Sequence, residues 1–348
     1  MFARPATMTS IHVDLGRQWR GGQNQALLLI QGLRERGHVA DLMAVRGSPL
    51  AERAQAAGVR VYTVPHAGAR LQAALRLRAA SYEVVHCHDA HGLTAAWLAG
   101  ACQHSSVVAA RRVAYPLSAT RLGQFRYRQA RRIVAVSRFV AASVLASGLT
   151  AEQVEVVYDG VLLPPAGERP PGPPRIGCVG YLLPEKGQEA LVRAMPLVRE
   201  KYSHCSLVLA GDGPCRTRLE RLALELGLGP AVEFAGLVEN VPELYRALDV
   251  FLFPSLAEPL GSSLLAAMSH SLPVVAVARG AVPEVVEDGR NGLLVASPDP
   301  AAIAAAVVRL LDDPALAARL GAAARQTIEQ RFTAQRMVEA TLDLYRRL

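Results

Sequence analysis

Two runs of short apolar strands, alternating with amphipathic helices, constrain the fold of this chain most strongly. One run fills the N-terminal half and the other fills the C-terminal half. Between them, residues 162–174 hold six prolines and two glycines in thirteen positions, so this stretch cannot form a helix or a strand. Such alternation is typical of parallel α/β units. We therefore predict two α/β domains with doubly wound parallel sheets, at residues 1–163 and 175–348, and a Pro-rich linker at 164–174.

The composition is that of a globular protein with free thiols. The 348 residues are 51% apolar and 20% charged, which suits two domains of ordinary size. The five cysteines show no metal-ligand spacing, which indicates buried free thiols in a reducing cytosol: Cys87, Cys102, Cys178, Cys205 and Cys215. No apolar run approaches the ~18 residues that a membrane-spanning helix needs. We expect a cytoplasmic protein, either soluble or peripheral on the inner face of the membrane.

The positive charge of the chain is confined to its N-terminal half. Residues 1–165 hold 19 Arg, no Lys and nine acidic residues, a formal charge of +10, whereas the whole chain carries +8. Residues 90–151 contain no carboxylate. This asymmetry indicates an anionic partner. Nucleic acid is not expected, because no zinc-finger, helix-turn-helix or RNA-binding motif accompanies the charge.

A basic segment at residues 119–133 has the spacing of an amphipathic helix. Its apolar face would hold Leu122, Phe125, Gln129 and Ile133, with arginines around the remaining face. Such a helix could lie on an anionic membrane surface. A solvated helix packed on the domain core would have the same pattern. The candidates for membrane contact are Arg121, Arg126, Arg128, Arg131 and Arg132.

Residues 251–276 combine an apolar strand, an acidic residue, a Gly/Ser turn and an apolar helix. Glu258 follows the strand, and the helix opens shortly afterwards. The free N–H groups and the dipole of a helix N-terminus favour a diphosphate. The sequence therefore predicts a phosphate site beside an acid, with these candidate residues: Leu260, Gly261, Ser262 and Ser263.

A second motif, at residues 180–187, follows the first strand of the C-terminal domain. Lys186 is one of only two lysines in the chain, and a compact ammonium there could neutralise a diphosphate leaving group. The alternative is a helix-terminal lysine without a role. Glycines after the next strand would either let the backbone approach a ligand or only form a tight turn. The candidates for ligand contact in these loops are Gly180, Tyr181, Gly211, Asp212 and Gly213.

These motifs, within residues 176–295, resemble the donor half of retaining nucleotide-sugar glycosyltransferases of family 4, and the resemblance extends over nearly the whole chain. It implies a GT-B fold, in which two Rossmann-like domains face a cleft. The N-terminal domain would bind the acceptor and the C-terminal domain the nucleotide sugar. In that fold the last helix can cross back to the N-terminal domain. The resemblance also implies that no cofactor and no dedicated metal site are needed.

The resemblance assigns roles to several further residues. Lys186 and Glu258 would be catalytic, and Leu237 and Val238 would lie near the nucleobase. The turn at Gly21 and Gly22, between the first strand and the first helix, would close over the donor phosphates, although a simple tight turn is the alternative. Three departures mark a divergent member: Tyr181 stands where the family has Arg, Ala266 where it has a second Glu, and Arg111 or Arg112 where it has a catalytic His.

Four residues near the predicted strand ends of the N-terminal domain are candidates for the acceptor site or the cleft: His88, Asp89, Ser137 and Arg138. Four possible metal ligands lie close together in the sequence: His86, His88, Asp89 and His91. A histidine alternating along a buried strand is more often a hydrogen-bonded core residue, and we expect no metal there.

The predicted function is transfer of a sugar from a nucleotide diphosphate sugar to an anionic saccharide or lipid-linked acceptor, in cell-envelope glycan or lipopolysaccharide biosynthesis. Two alternatives use the same architecture: a non-catalytic protein that binds a nucleotide sugar, and a sugar-nucleotide epimerase. An NAD-dependent oxidoreductase is disfavoured, because the chain lacks a GxGxxG fingerprint between its first strand and first helix.

Overall fold

The computed structural model describes residues 7–117, 121–165, 167 and 170–348. The chain divides into two compact units. The first comprises Met1–Gly160 and Ala334–Leu348, and the second comprises Val161–Thr333. Each unit contains one parallel sheet with helices around it, which confirms the predicted α/β class. The unit bounds differ from the predicted domain bounds mainly at the C-terminus, where the last helix belongs to the first unit.

The first unit has a seven-stranded parallel sheet in the order β3-β2-β1-β4-β5-β6-β7. Its strands are β1 Thr9–Asp14, β2 Val39–Val45, β3 Val61–Val64, β4 Val84–Cys87, β5 Ser106–Arg111, β6 Arg132–Ala135 and β7 Val154–Val156. Strand order reverses between the neighbours β1 and β4, where His12 pairs with His86. Ligands of open α/β sheets bind outside the carboxyl ends of the strands at such a reversal.

Six helices of the first unit lie between or beside these strands: α1 Gly21–Glu35, α2 Pro49–Ala56, α3 Ala69–Arg78, α4 Ala90–Leu98, α5 Arg121–Gln129 and α6 Arg138–Leu145. α1 begins at Gly21, so Gly21 and Gly22 form its first turn instead of the predicted loop before it.

The second unit has a six-stranded parallel sheet in the order β10-β9-β8-β11-β12-β13. Its strands are β8 Arg175–Val179, β9 Ser206–Ala210, β10 Val232–Gly236, β11 Val250–Phe253, β12 Val274–Val277 and β13 Leu293–Val295. Its helices are α7 Gln188–Lys201, α8 Arg216–Glu225, α9 Val241–Arg246, α10 Ser262–Ser269, α11 Val282–Val285, α12 Pro300–Asp312 and α13 Pro314–Arg331. Strand order reverses between β8 and β11.

The last helix, α14 Ala334–Tyr345, packs on α1 within the first unit. Together with α2, these helices cover a core that includes Leu42 and Val108 of the sheet. All five cysteines are free. Four are buried, but Cys102 is exposed, so the prediction of buried thiols is wrong for that residue. Among the described residues, no helix is both long and apolar enough to cross a membrane.

Candidate functional site

Lys186 and Glu258 lie side by side where the strand order of the second sheet reverses. Lys186 ends a single 3-10 turn after β8, and Glu258 lies in the loop after β11. The Lys186 Nζ is 2.6 Å from Glu258 Oε2, and the Ser255 hydroxyl donates to the same oxygen at 2.9 Å. Glu258 is only 8% exposed. Because β8 and β11 are neighbours, the fold brings two predicted residues 72 positions apart into contact.

Backbone contacts fix the position of the Glu258 loop. The Leu256 N–H donates to the carbonyl of Glu185, and the Ala281 N–H donates to the carbonyl of Glu258, both at 2.9 Å. Gly280 has a φ of +60°, and a Cβ built on it would lie 2.4 Å from the Glu258 carbonyl oxygen. Only glycine fits this position without displacing the acid.

Replacing Gly280 by Ala should therefore move Glu258. We expect Gly280→Ala to weaken the sugar transfer that the sequence resemblance implies by about tenfold or more, and to cost about 1–3 kcal/mol of unfolding free energy, because both a clash and a left-handed backbone are imposed. Gly289→Ala is the matched control: its φ is +70°, but a Cβ there meets no atom within 4 Å. Urea unfolding and transfer rates measure both variants. Equal activity of the two variants would contradict a positioning role for Gly280.

Helix α10 begins at Ser262, directly after the Glu258 loop, as the Gly/Ser turn predicted. Gly261 is its N-cap with a φ of +101°, and glycine has no side chain with which to cap the helix. Its first-turn N–H groups are thus not occupied by a cap side chain. The Ser262 side chain is exposed, whereas Leu260 is 2% exposed and packs in the core. A role of Leu260 at the donor site would therefore use its backbone.

The glycines after β9 serve the packing between neighbouring loops, whereas a Cβ on Gly180, after β8, would meet only the Gln188 amide at 4.0 Å. A Cβ on Gly211, whose φ is +138°, would lie 2.0 Å from the Gly180 carbonyl oxygen. The Leu182 N–H donates to the carbonyl of Asp212, and the Asp212 carboxylate accepts from the N–H of Gly213. The tight-turn interpretation thus accounts for these glycines, and donor contact by their backbone stays a prediction. At the same sheet edge, Tyr181 and Leu237 are exposed and Val238 is half-buried.

In the first unit, a buried chain of hydrogen bonds runs through two histidines to Arg112. The Nη1 of Arg112 is 3.0 Å from His88 Nδ1, and His88 Nε2 is 2.9 Å from His12 Nδ1. His12 Nε2 is 3.2 Å from the hydroxyl of Ser10, which donates to the carbonyl of Val39.

Arg112 determines which atom donates in each of these hydrogen bonds, because a guanidinium can only donate. His88 must then accept at Nδ1 and donate at Nε2, and His12 must do the same towards Ser10. Both rings are therefore neutral. Burial, and next the charge of Arg112, lowers the pKa of His12 to about 3. Burial likewise lowers the pKa values of His86 and His88 well below their usual value.

His12, His86 and His88 are also close enough together to be considered as metal ligands. One ring nitrogen from each lies within 4.8 Å of the others. The His88 ring plane, however, is tilted by only 16° from that of His12 and 18° from that of His86. Both nitrogens of His12 and of His88 already take part in the series of hydrogen bonds to Arg112, so neither ring has a free lone pair for an ion. His86 Nδ1 lies 2.6 Å from the hydroxyl of Tyr345, and among the described residues its Nε2 has no partner.

Arg111 and Arg112, the two predicted arginines, have different environments. Arg111 is buried, donates to the carbonyls of Tyr115 and Pro116 at 2.5 and 3.1 Å, and stacks over the Tyr115 ring. These contacts hold the loop after β5, and a catalytic role of Arg111 stays a prediction. Arg112 is held by Asp159 at 2.9 Å and by His88, and its Cδ would lie 3.8 Å from a Cβ on Gly22.

Two other candidates of the first unit cap helices. Asp89 accepts from the Gly92 N–H at the start of α4, and burial, together with the charge of Asp14, raises its pKa to about 7. Ser137 is fully buried and caps α6 by accepting from the Val140 N–H. Its hydroxyl thus serves the helix, and a place for Ser137 at the acceptor site or the cleft stays a prediction. Arg138 is exposed on the first turn of α6.

The predicted apolar face of the basic segment is wrong. α5 ends at Gln129, and Ile133 is buried in β6. Tyr127 is the buried ring of α5, whereas Phe125 is 46% exposed. Arg126 donates to the hydroxyl of Thr94. Of the remaining candidates, Arg128 and Arg131 are exposed, Arg132 is half-buried, and the side chain of Arg121 lies outside the described residues.

Sequence reasoning missed three buried residues at the first sheet: His12, Asp14 and Asp159. Asp14 accepts from the Gly16 N–H at 2.8 Å and from the Gln23 amide at 3.0 Å. No motif marks these residues. Their only sequence signal is that polar residues interrupt apolar strands or directly follow them.

Two family models together match most of this chain. The model described as "Glycosyltransferase Family 4" matches residues 19–163, and the model described as "Glycosyl transferases group 1" matches residues 163–327. The two matches meet at residue 163, close to the boundary between the two structural units.

Curated relatives match over about half of their length. A GDP-mannose-dependent alpha-(1-6)-phosphatidylinositol monomannoside mannosyltransferase of Mycolicibacterium smegmatis is 37% identical over 44% of this chain and 42% of its own. The lipopolysaccharide core biosynthesis glycosyltransferase LpsD of Rhizobium meliloti is 36% identical over 49% and 48%. A 2-deoxystreptamine glucosyltransferase of Streptomyces kanamyceticus is 34% identical over 59% and 57%.

Solved structures match over nearly the whole chain. Anabaena Alr3699/HepE, in complex with UDP and glucose, has a TM-score of 0.86 at 20% identity and covers 98% of this chain and 100% of its own. A glycosyltransferase from Rickettsia africae has a TM-score of 0.86 at 18% identity and covers 98% of each chain. At such identities the comparison establishes the fold alone.

Proposed function

Because the chain belongs to glycosyltransferase family 4, with the GT-B fold, we propose that it transfers a sugar from a nucleotide diphosphate sugar to an anionic saccharide or lipid-linked acceptor. The contact between Lys186 and Glu258 carries this proposal. Both residues lie beyond the carboxyl ends of strands that flank a reversal of strand order, where α/β sheets bind nucleotides.

The second unit would bind the donor. The ammonium of Lys186 and the N–H groups of the first turn of α10 would lie against the diphosphate, whose charge grows as the sugar leaves. Glu258 would exchange its bond to Lys186 for hydrogen bonds to sugar hydroxyls. Its bond to Ser255 keeps the carboxylate oriented during that exchange.

The reaction would proceed with retention at the anomeric carbon. The bond from that carbon to the diphosphate oxygen breaks, and the acceptor oxygen bonds to the carbon from the same face. The acceptor hydroxyl gives its proton to the departing diphosphate, so the step needs no protein base. Neither a cofactor nor a dedicated metal site is part of the proposal.

The first unit would bind an anionic acceptor, in cell-envelope glycan or lipopolysaccharide biosynthesis at the cytoplasmic face of the membrane. The positive formal charge of the N-terminal half supports an acceptor with an anionic group, and so does the guanidinium of Arg112 directly after β5. The names of the Mycolicibacterium and Rhizobium relatives, a phosphatidylinositol mannoside mannosyltransferase and a lipopolysaccharide core enzyme, support this class of acceptor.

A thermal-shift screen against UDP-, GDP-, ADP- and CMP-sugars tests the donor. We expect one base to stabilise the protein, because a ligand at 100 times its Kd adds about 2.7 kcal/mol. Transfer from that donor, with NMR of the product's anomeric carbon, then tests catalysis and retention.

The screen also separates the alternatives. Binding without hydrolysis or transfer would support a non-catalytic protein, and conversion of the donor sugar to its epimer would support an epimerase. No stabilisation by any of the four classes would contradict a nucleotide-sugar site.

A further inference from the structure

One surface of the first unit presents arginines but no acidic residue on its helices. α3 packs on α4, and α4 packs on α5. The three helices contain no Asp or Glu. We call these helices, together with Arg131 after α5, the acid-free surface. Within the part of the chain that the structure describes, its exposed arginines form no ion pair: Arg70, Arg76, Arg78, Arg128 and Arg131.

The same surface exposes four large apolar side chains. Leu71, Leu75, Leu98 and Phe125 are 62%, 59%, 50% and 46% exposed. A single exposed leucine is ordinary, but a continuous group indicates a contact surface. Continuity is evident here, because Leu71 and Leu98 line one cavity and the Trp97 ring meets Phe125 edge-on, with centroids 6.4 Å apart.

That cavity extends from the acid-free surface to the edge of the first sheet at which its parallel strands end. It has a volume of about 600 Å³, and Leu15 and Arg17, which line it, directly follow β1. The other polar lining side chains are His66, Arg70, His91 and Thr94. Arginines beside leucines suit a ligand with a phosphate and an acyl chain.

We propose that the acid-free surface docks the protein onto an anionic phospholipid bilayer. The leucines and Phe125 enter the interfacial layer, the arginines face the lipid phosphates, and a lipid headgroup occupies the cavity. A second copy of the chain does not suit this surface, because two arginine-rich surfaces would then face and repel each other. A nucleic acid backbone offers the exposed leucines no partner. Docking does not depend on the proposed transfer reaction and is measured without substrates.

Vesicle co-sedimentation of the full chain tests the docking surface. We expect binding to phosphatidylcholine vesicles that contain phosphatidylglycerol, weakened when salt rises from about 0.1 M to about 1 M, because the screening length falls from about 10 Å to about 3 Å. Combining Arg76→Gln, Arg78→Gln and Arg128→Gln should lower the partition coefficient roughly 100-fold, since each basic residue near an anionic surface contributes about fivefold. Leu71→Ser with Leu75→Ser should also weaken binding, at both salt concentrations.

Matched controls lie on α8 of the second unit. Leu224 is 71% exposed, so Leu224→Ser removes an equally exposed leucine, and Arg218→Gln with Arg221→Gln removes exposed charge. These variants should bind vesicles as wild type does. Circular dichroism checks the fold of each variant.

Three results would overturn the proposal. The first is a wild-type protein that does not sediment with anionic vesicles at low salt. The second is equal loss of binding in the α8 controls. The third is binding to a DNA duplex at the same salt that depends on the three arginines but not on the leucines, which would assign the surface to nucleic acid.

Discussion

Lys186→Ala should lower the rate of sugar transfer by two to four orders of magnitude, or about 3–5 kcal/mol of barrier. The charge on the diphosphate grows as its bond to the sugar breaks, so an ammonium beside it stabilises the transition state more than the bound donor. The loss should therefore appear mainly in kcat. Steady-state kinetics with the donor found by thermal shift measures it.

The only other lysine provides the control. Lys201 is exposed at the end of α7 and pairs with Asp312 at 2.6 Å, remote in sequence from both donor motifs. Lys201→Ala should transfer sugar at the wild-type rate. Lys186→Arg should recover part of the lost activity, because it keeps the charge but not the compact ammonium. Wild-type turnover by Lys186→Ala would remove Lys186 from the mechanism.

The donor half of the site could be predicted because its signals are local. Lys186 and Glu258 each follow an apolar strand, and in a parallel sheet all such loops lie at one edge. Sequence could not predict the bond between their side chains. That bond depends on β8 and β11 being neighbours, although β9 and β10 lie between them in the chain.

The buried hydrogen bonds of the first unit could not be predicted from the sequence, because they join residues that are far apart in the chain. His12 meets His88 from 76 positions away, and Arg112 meets Asp159 from 47 positions away. The helical spacing of apolar residues also predicted the wrong buried face for α5. There, Arg111 lies over the ring of Tyr127, and Trp97 meets Phe125 at the surface. Tertiary packing therefore decided which aromatic ring of α5 is buried.

Acid should destabilise this protein through its buried histidines. The pKa values of His12, His86 and His88 are lowered, to about 3 for His12, so the folded state keeps these rings neutral. The unfolded chain binds their protons below about pH 6.5, so each ring removes about 1.4 kcal/mol of stability per pH unit as the pH falls from there. Asp14 and Asp89 oppose this trend, because burial raises their pKa values and the folded state holds their protons longer.

A single substitution isolates one histidine from these opposing groups. His12→Gln can still accept from His88 and donate to Ser10, but it cannot take up a proton. Between pH 6.5 and pH 4.5, we expect it to lose about 2–3 kcal/mol less stability than wild type. Urea unfolding at half-unit pH steps measures the difference. Parallel curves for His12→Gln and wild type would mean that His12 is charged in the folded protein, and the direction derived for the hydrogen-bond chain to Arg112 would then be wrong.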